Sequence, residues 1–191
     1  FASGNPVTAD DVIYSFTRVI KLNLTPAFIL SQLGWTPDNI AQMVTGTGNT
    51  VTVKYEGDFS PAFVLNVLAS RPASIVDSAV VKQHEAGADM GNAWLNQNAA
   101  GSGPFTLDRY TPAHMVRMTA NKAYFNGAPA IDSVIIRHVA EAATQQLLLE
   151  KGDIDIANKL GPDDFDAIAG KPDIAVMNGR SGTIYYMGLN V

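Results

Sequence analysis

The chain has 191 residues, of which 47% are hydrophobic and 16% charged, with a formal net charge of -5 at pH 7 and no cysteine. A chain of this length buries about 70% of its unfolded surface on folding, which is enough for a core. Its scattered basic residues form no stripe that could neutralise several phosphates, so nucleic acid is not an expected partner. No apolar run approaches the roughly 20 residues of a membrane-spanning helix, and the lack of cysteine excludes disulfides and thiolate metal sites.

The first half of the chain carries helical patterns around one short strand. Thr8 is a candidate N-cap with Asp11 in the capping-box position, and apolar residues at helical spacing follow, so a helix is predicted over residues 9–20. The segment GTGNT at 46–50 predicts a turn, and the alternation that follows predicts a strand over 51–55. Shorter helices are predicted at 27–33, 62–68, 77–85 and 91–97.

From Gly101 onward, strand patterns alternate with helical ones. Strands are predicted at 104–110, 115–121, 131–138, 154–157, 174–178 and 183–190, and helices at 142–151 and 162–169. This alternation predicts an α/β sheet. The change of pattern places a boundary near residue 98, between a first part (1–98) and a second part (99–191).

The segment GSG at 101–103 has two glycines on either side of a serine, a composition that also occurs in phosphate-binding loops. Such a loop has to open directly into a helix, so that free N–H groups and the helix dipole meet the phosphate. Here Pro104 removes a donor, and the residues that follow alternate as in a strand. The sequence therefore predicts a structural turn in which Gly101 or Gly103 adopts a conformation that a larger residue resists.

Neither a metal site nor a catalytic site is predicted. The histidines His84, His114 and His138 have no partner at the spacing that brings two ligands onto one helical face. The acidic residues between Asp153 and Asp166 lack the glycine and the glutamate of a calcium loop, and Asp163 and Asp164 fit the start of a helix better. No G-x-S-x-G nucleophile motif is present. No cofactor is therefore expected.

The final segment TIYYMGLNV is the stretch most typical of a ligand-contacting strand. Adjacent residues of a strand face opposite sides, so one of Tyr185 and Tyr186 can face the core while the other faces a cleft. Gly188 allows another backbone or a ligand to approach closely. On pattern alone, an ordinary strand explains the segment equally well.

Five segments, in the same order along the chain, resemble family 5 of the extracellular solute-binding proteins of ATP-binding-cassette importers, the dipeptide- and oligopeptide-binding group. They are FASGNPVTADDVIYSFTRV, WLNQNAAGSGPFTLDRY, ANKAYFNGAPAIDSVIIRHV, LLLEKGDIDIANKL and IYYMGLN. The departures are small: the family usually has Thr at Ser102, Tyr at Phe105 and Trp at Phe125. The resemblance covers nearly the whole chain.

The resemblance implies an α/β fold of the type II, three-subdomain periplasmic-binding-protein class, with a mixed sheet and helices plus a small α+β accessory subdomain. It identifies 1–98 as the accessory subdomain of the first lobe, incomplete at its N-terminus, and 99–191 as the main α/β part of that lobe, ending at the inter-lobe hinge. The chain is accordingly expected to be an internal piece of a longer protein, since it lacks a starting Met and ends on an apolar run.

The function implied is capture of a peptide or similar small solute and its delivery to an ABC permease, outside the inner membrane: periplasmic, or lipid-anchored and extracellular. The ligand-binding residues expected in this chain are Tyr185, Tyr186, Met187 and Gly188 near the hinge, with Phe28 on the accessory subdomain. Two other classes stay open, a secreted enzyme and the solute-sensing domain of a cytoplasmic transcription regulator. An activity screen and the upstream gene sequence would decide between them.

Overall fold

The computed structural model describes residues 1–158, 160–177 and 179. Residues up to Arg137 form one compact unit, and a second begins at His138. The elements of the first unit are α1 (Ala9–Leu22), α2 (Phe28–Ser31), α3 (Ile40–Met43), β1 (Val44–Thr47), β2 (Thr50–Val53), α4 (Pro61–Leu68), a 3-10 turn (Arg71–Ala73), α5 (Ser78–Lys82), α6 (Asn92–Leu95), β3 (Phe105–Thr111), β4 (Met115–Ala120) and β5 (Ser133–Arg137). The second contains α7 (Ala142–Glu150) and α8 (Pro162–Ile168).

The first helix confirms the prediction made from its capping pattern and runs slightly further, to Leu22. The backbone N–H and the hydroxyl of Thr8 both donate to Oδ2 of Asp11, at 2.9 and 2.8 Å. The helix ends at Asn23, which adopts the left-handed conformation and donates its N–H to the carbonyl of Val19. Both ends of α1 are therefore set by local hydrogen bonds.

The core of the first unit lies between α1, the short helices and the β1–β2 hairpin. Its centre is Trp35, which is 2% exposed and packs at a tilt against Phe16, with ring centroids 5.4 Å apart. Its indole N–H donates to the carbonyl of Lys54 at 2.8 Å. The other buried members are apolar: Ile20, Leu30, Leu33, Ile40, Val44, Val64, Val67 and Ala73. This cluster holds α2 and α4 against α1.

Two antiparallel sheets occur in the described residues. β1 and β2 form a β-hairpin whose two turn residues are Gly48 and Asn49. α1 packs so closely on β1 that a side chain at Gly46 would overlap the side chain of Ala9. The second sheet has the order β3–β4–β5, with an irregularity in the register at Asp108. The predicted turn at 46–50 is thus shorter than expected, and its flanking residues belong to strands.

Several further predictions can be compared with the structure. The strand predicted at 104–110 and its two successors are confirmed as β3, β4 and β5, whereas the helix predicted at 77–85 ends at Lys82. Residues 154–157 and 174–177 are not strands, and 183–190 lies outside the described residues. A strand needs a neighbour for its backbone hydrogen bonds. Among the described residues of the second unit, these two short runs have no strand beside them.

The predicted division near residue 98 stays a prediction. Within the first unit, backbone hydrogen bonds join segments from both sides of that position: Ala2 donates to Gly101, and Asp77 donates to Ala100. Among the described residues, no helix combines the length and apolar character needed to cross a membrane.

Candidate ligand-binding site

Of the five residues predicted to contact a ligand, one is within the described part of the chain. Tyr185, Tyr186, Met187 and Gly188 lie outside the described residues. Phe28 is the first residue of α2, and its side chain is 62% exposed. An exposed aromatic ring of this size offers a large apolar surface to a ligand.

The position of Phe28 follows from the burial of residues in and beside α2. Ala27, Leu30 and Leu33 are almost fully buried, so the side of the helix that they occupy faces the core. The N–H of Glu56 donates to the carbonyl of Leu33 at 3.0 Å, which joins the residues after α2 to the residues after β2. The backbone under Phe28 is therefore well held, and little ordering of the backbone is needed for its ring to take part in binding.

The GSG loop is a turn that leads into β3, as the sequence predicts. The carbonyl of Gly101 accepts from the N–H of Ala2, and that of Gly103 accepts from the side-chain amide of Asn121 at 3.1 Å. The prediction that one of the glycines is conformationally required is wrong: neither has a positive φ, and a Cβ at either position would make no close contact. Pro104 and the hydrogen bonds of the carbonyls define the turn instead.

Beside this loop is an open cavity of about 240 Å³, lined in part by Ser102, Asn121 and Phe125. Phe125 is 82% exposed. Asn121 is 8% exposed, but its side chain is already engaged, with its amide bonded to Gly103 and its oxygen accepting from the N–H of Ala123 at 3.1 Å. The polar side chain of Asn121 thus serves the local backbone.

Two buried carboxylates, Asp11 and Asp77, hold the start of α5 to α1 and to the segment before α1, respectively. Asp11 accepts from the N–H of Ser78 at 2.9 Å in addition to its two bonds from Thr8. Burial on its own raises the pKa of the Asp11 carboxyl, but the hydrogen bonds from Ser78 and Thr8 together outweigh it and bring the pKa below its ordinary value. Asp77 caps α5 and accepts from Ser3, Asn5 and the N–H of Val80.

A second polar network holds the segment between α5 and α6 against α1. The Tyr14 hydroxyl donates to Glu85 at 2.7 Å, while Arg18 donates to the carbonyl of Met90 at 2.9 Å and to the side chain of Asn92 at 3.0 Å. Burial, followed by the hydrogen bond and the charge of Glu85, raises the pKa of Tyr14 well above its ordinary value. Met90 has a φ of 48°, so Arg18 braces a residue in an unfavourable backbone conformation.

The residues weighed as metal ligands have other environments in the structure. His84 stacks on Trp94, with ring centroids 4.4 Å apart. Asp163 and Asp164 lie in the first turn of α8, and Asp164 accepts from the N–H of Gly161 at 2.9 Å, as the helix-start interpretation predicts. No group of three potential metal-binding side chains occurs in the described ranges.

Sequence reasoning missed one further feature, a cavity of about 150 Å³ between α1 and the 3-10 turn. Its cationic lining residues, Arg18 and Arg71, are far apart in the chain. The only local signal is the helical spacing of Ser15, Arg18 and Val19, which places them on one side of α1. Tertiary structure is needed to bring Arg71 to the same place.

Comparison with known proteins identifies the chain's family. A model of the bacterial extracellular solute-binding proteins, family 5, middle part, matches residues 1–191. The "Probable D,D-dipeptide-binding periplasmic protein DdpA" of Escherichia coli (strain K12) is 33% identical over 190 residues, which cover 100% of this chain and 35% of that protein. The chain thus spans about a third of the length of this relative.

Solved structures show the same fold. NikZ from Campylobacter jejuni, in complex with Ni(L-His), has a TM-score of 0.71 at 18% identity, over 90% of this chain and 32% of that one. OppA from Haemophilus influenzae, in complex with the peptide RPPGFSPFR, has a TM-score of 0.69 at 20% identity, over 87% and 34%. The predicted periplasmic-binding-protein fold class is therefore confirmed. The chain belongs to family 5 of the bacterial extracellular solute-binding proteins.

Proposed function

We propose that the protein is the substrate-binding component of an ABC importer, which captures a peptide or similar small solute and delivers it to a membrane permease. The observation that carries this proposal is the family match over the whole chain. The names of its relatives support the choice of solute, since the E. coli relative is named for a D,D-dipeptide and the H. influenzae structure contains a peptide.

The same proposal places the protein in the periplasm, or on the outer side of the membrane by a lipid anchor. It also holds that the protein binds its solute and does not catalyse a reaction. The E. coli relative is named as a periplasmic binding protein. The rival function, solute sensing by a cytoplasmic transcription regulator, would require a DNA-binding segment in place of a signal peptide upstream of Phe1. The complete gene sequence tests this directly.

Phe28 is our candidate for the contribution of the first unit to solute binding. Its ring is mostly exposed, while Ala27 and Leu30 on either side of it are anchored in the core. Ligand sites typically combine apolar and aromatic surface with a few placed polar groups. Tyr185 to Gly188 remain our candidates from the final segment. If that segment is a strand, the two tyrosines face opposite sides, and replacing them singly has unequal effects on affinity.

The test is calorimetric titration of the natural full-length protein with a panel of dipeptides, tripeptides and longer peptides. Phe28→Ala is expected to weaken binding of the accepted peptide about tenfold, the equivalent of about 1.4 kcal/mol. Leu65→Ala is the matched control, because Leu65 is 66% exposed on α4 and is not a predicted ligand contact. Equal affinities of the two variants would refute the role of Phe28. The absence of binding to every peptide would refute the choice of solute.

A further inference from the structure

The cavity between α1 and the 3-10 turn is distinguished by its charge. Arg18 and Arg71 both line it. The ion pairs within the described residues are Arg117 with Asp108 and Lys171 with Glu150, so neither arginine of the cavity has a described carboxylate as an ion-pair partner. Like charges on the same cavity repel each other, although water screens the exposed Arg71, and an anion bound there would offset that repulsion.

Arg18 is held in place but keeps its positive charge. Its described hydrogen bonds go to the neutral oxygens of Met90 and Asn92. A guanidinium carries five N–H donors, so these two bonds leave about three for another acceptor. Burial lowers the pKa of Arg18, partly offset by Tyr14 and Asp89. An anion in the cavity would compensate for that burial.

Two acidic side chains in or close to α1 have other hydrogen-bond partners. The Asp89 carboxylate accepts the backbone N–H groups of Ala86, Gly91 and Ala93 at 2.8 to 3.0 Å. Asp11, one turn before Ser15 on α1, is committed to Thr8 and Ser78. Asp89 therefore compensates Arg18 only through its charge, without a direct ion pair, and the hydrogen bonds described for Asp11 go to neither arginine.

The remaining lining defines what kind of anion would fit. The hydroxyls of Ser15 and Ser74 already donate to backbone carbonyls, at 2.7 and 2.8 Å. The other walls are the apolar side chains of Val19, Pro72 and Val76. A carboxylate group facing the arginines, with a short alkyl chain against these walls, satisfies both parts of the surface. A phosphate would place strongly hydrated oxygens against the apolar walls.

We propose that this Arg18–Arg71 cavity binds a small aliphatic monocarboxylate. The cavity is open to solvent, and its volume of about 150 Å³ leaves room for a ligand of about six non-hydrogen atoms, the size of the benzene that an engineered cavity of similar volume holds. Butyrate has this size. The arginines supply charge-assisted hydrogen bonds to its two oxygens.

The experiment is titration of the natural full-length protein with sodium butyrate, followed by calorimetry and by the side-chain N–H signals of nitrogen-labelled arginine. Saturable millimolar binding is expected, with butyramide at least about tenfold weaker because it lacks the charge. Arg71→Gln is expected to weaken butyrate binding about tenfold. Arg71 is exposed, so this variant should fold. Arg117→Gln, on the sheet, is the control and should leave binding unchanged.

The outcomes separate this proposal from the proposed solute site. Failure of butyrate to saturate, equal binding of butyramide, or equal weakening by Arg71→Gln and Arg117→Gln would overturn it. Phosphate binding that depends on Arg71 while butyrate fails would also overturn it. Phe28→Ala must leave butyrate affinity unchanged, and loss of binding in that variant would mean that butyrate occupies the solute site. Peptide binding insensitive to Phe28→Ala affects only the solute-site assignment.

Discussion

Replacing Asp11 by Ala should destabilise the first unit by about 3 kcal/mol. The substitution removes the acceptor of three hydrogen bonds, from the N–H and hydroxyl of Thr8 and from the N–H of Ser78. Ser78 is 7% exposed, so its orphaned N–H costs about 1–3 kcal/mol. Thr8 is half-buried and can turn partly to water, which adds about 1 kcal/mol. Loss of a negative charge at the start of α1 contributes about 0.5 kcal/mol.

The pH dependence gives an independent check through Asp11→Asn. The folded-state pKa of Asp11 lies below its ordinary value of 3.8, so its contribution to stability is present above that pH and is lost as the pH falls through the folded pKa. The asparagine side chain keeps an oxygen for the N–H of Ser78 but does not titrate. The stability difference between wild type and the Asp11→Asn variant should therefore shrink when the pH is lowered from about 6 to about 3.

The assay is urea unfolding of the 191-residue chain, followed by tryptophan fluorescence, because both tryptophans of this chain, Trp35 and Trp94, lie in the first unit. Asp10→Ala is the matched control: Asp10 is exposed in the same helical turn, so only about 0.5 kcal/mol should be lost. Equal effects of Asp10→Ala and Asp11→Ala would refute the reasoning. So would an acid-induced loss of stability as large in Asp11→Asn as in wild type.

Three other predictions use the same assay. Gly91→Ala should cost roughly 2–4 kcal/mol, because its φ is +72° and its Cβ would overlap Val81, whereas Gly87→Ala, with a φ of +63° and open space, should cost about 1 kcal/mol; equal costs would contradict this. Tyr14→Phe should lower the free energy of unfolding by about 1 kcal/mol, because the hydrogen bond to Glu85 is lost. The raised pKa of Tyr14 stabilises the folded state fully below the unfolded-state pKa of about 10, and this contribution is lost as the pH rises from there toward the folded-state pKa, so the variant should lose less stability than wild type above about pH 10. Gly101→Ala should change stability by less than about 0.5 kcal/mol, and a larger loss would restore the required-glycine interpretation.

Elements with strong local signals could be predicted from the sequence, and elements that depend on distant partners could not. The capping pattern at Thr8 and Asp11 identifies α1, and the alternation after Pro104 identifies β3. Residues 154–157 alternate in the same way but form no strand, because alternation does not reveal whether a neighbour is present. The strand β1 has no such local signal, because only Val44 of its residues VTGT is apolar and one of the others is glycine; its pairing with β2 makes it a strand.

In the candidate site, too, local features could be predicted from the sequence and contacts between distant residues could not. Phe28 could be proposed from the resemblance, and the structure adds that its ring is exposed while its neighbours are buried. Asp11 could be predicted as part of a capping box, but its bond to Ser78 joins residues that are distant in the chain. The pairing of Arg18 with Arg71 across a cavity likewise has no counterpart in local spacing.

The uneven distribution of buried residues in the first unit has a consequence for hydrogen exchange. The core cluster is drawn from α1 to the 3-10 turn, whereas no residue of β3, β4 or β5 is fully buried. Amide protons in strands whose side chains are only partly buried exchange with solvent through local opening. Amide protons of residues in a packed core exchange only through global unfolding. The amides of α1 around Phe16 and Ile20 should thus be the slowest in the unit. Within this chain taken by itself, β3, β4 and β5 should therefore exchange faster than α1 and the core cluster that α2 packs against.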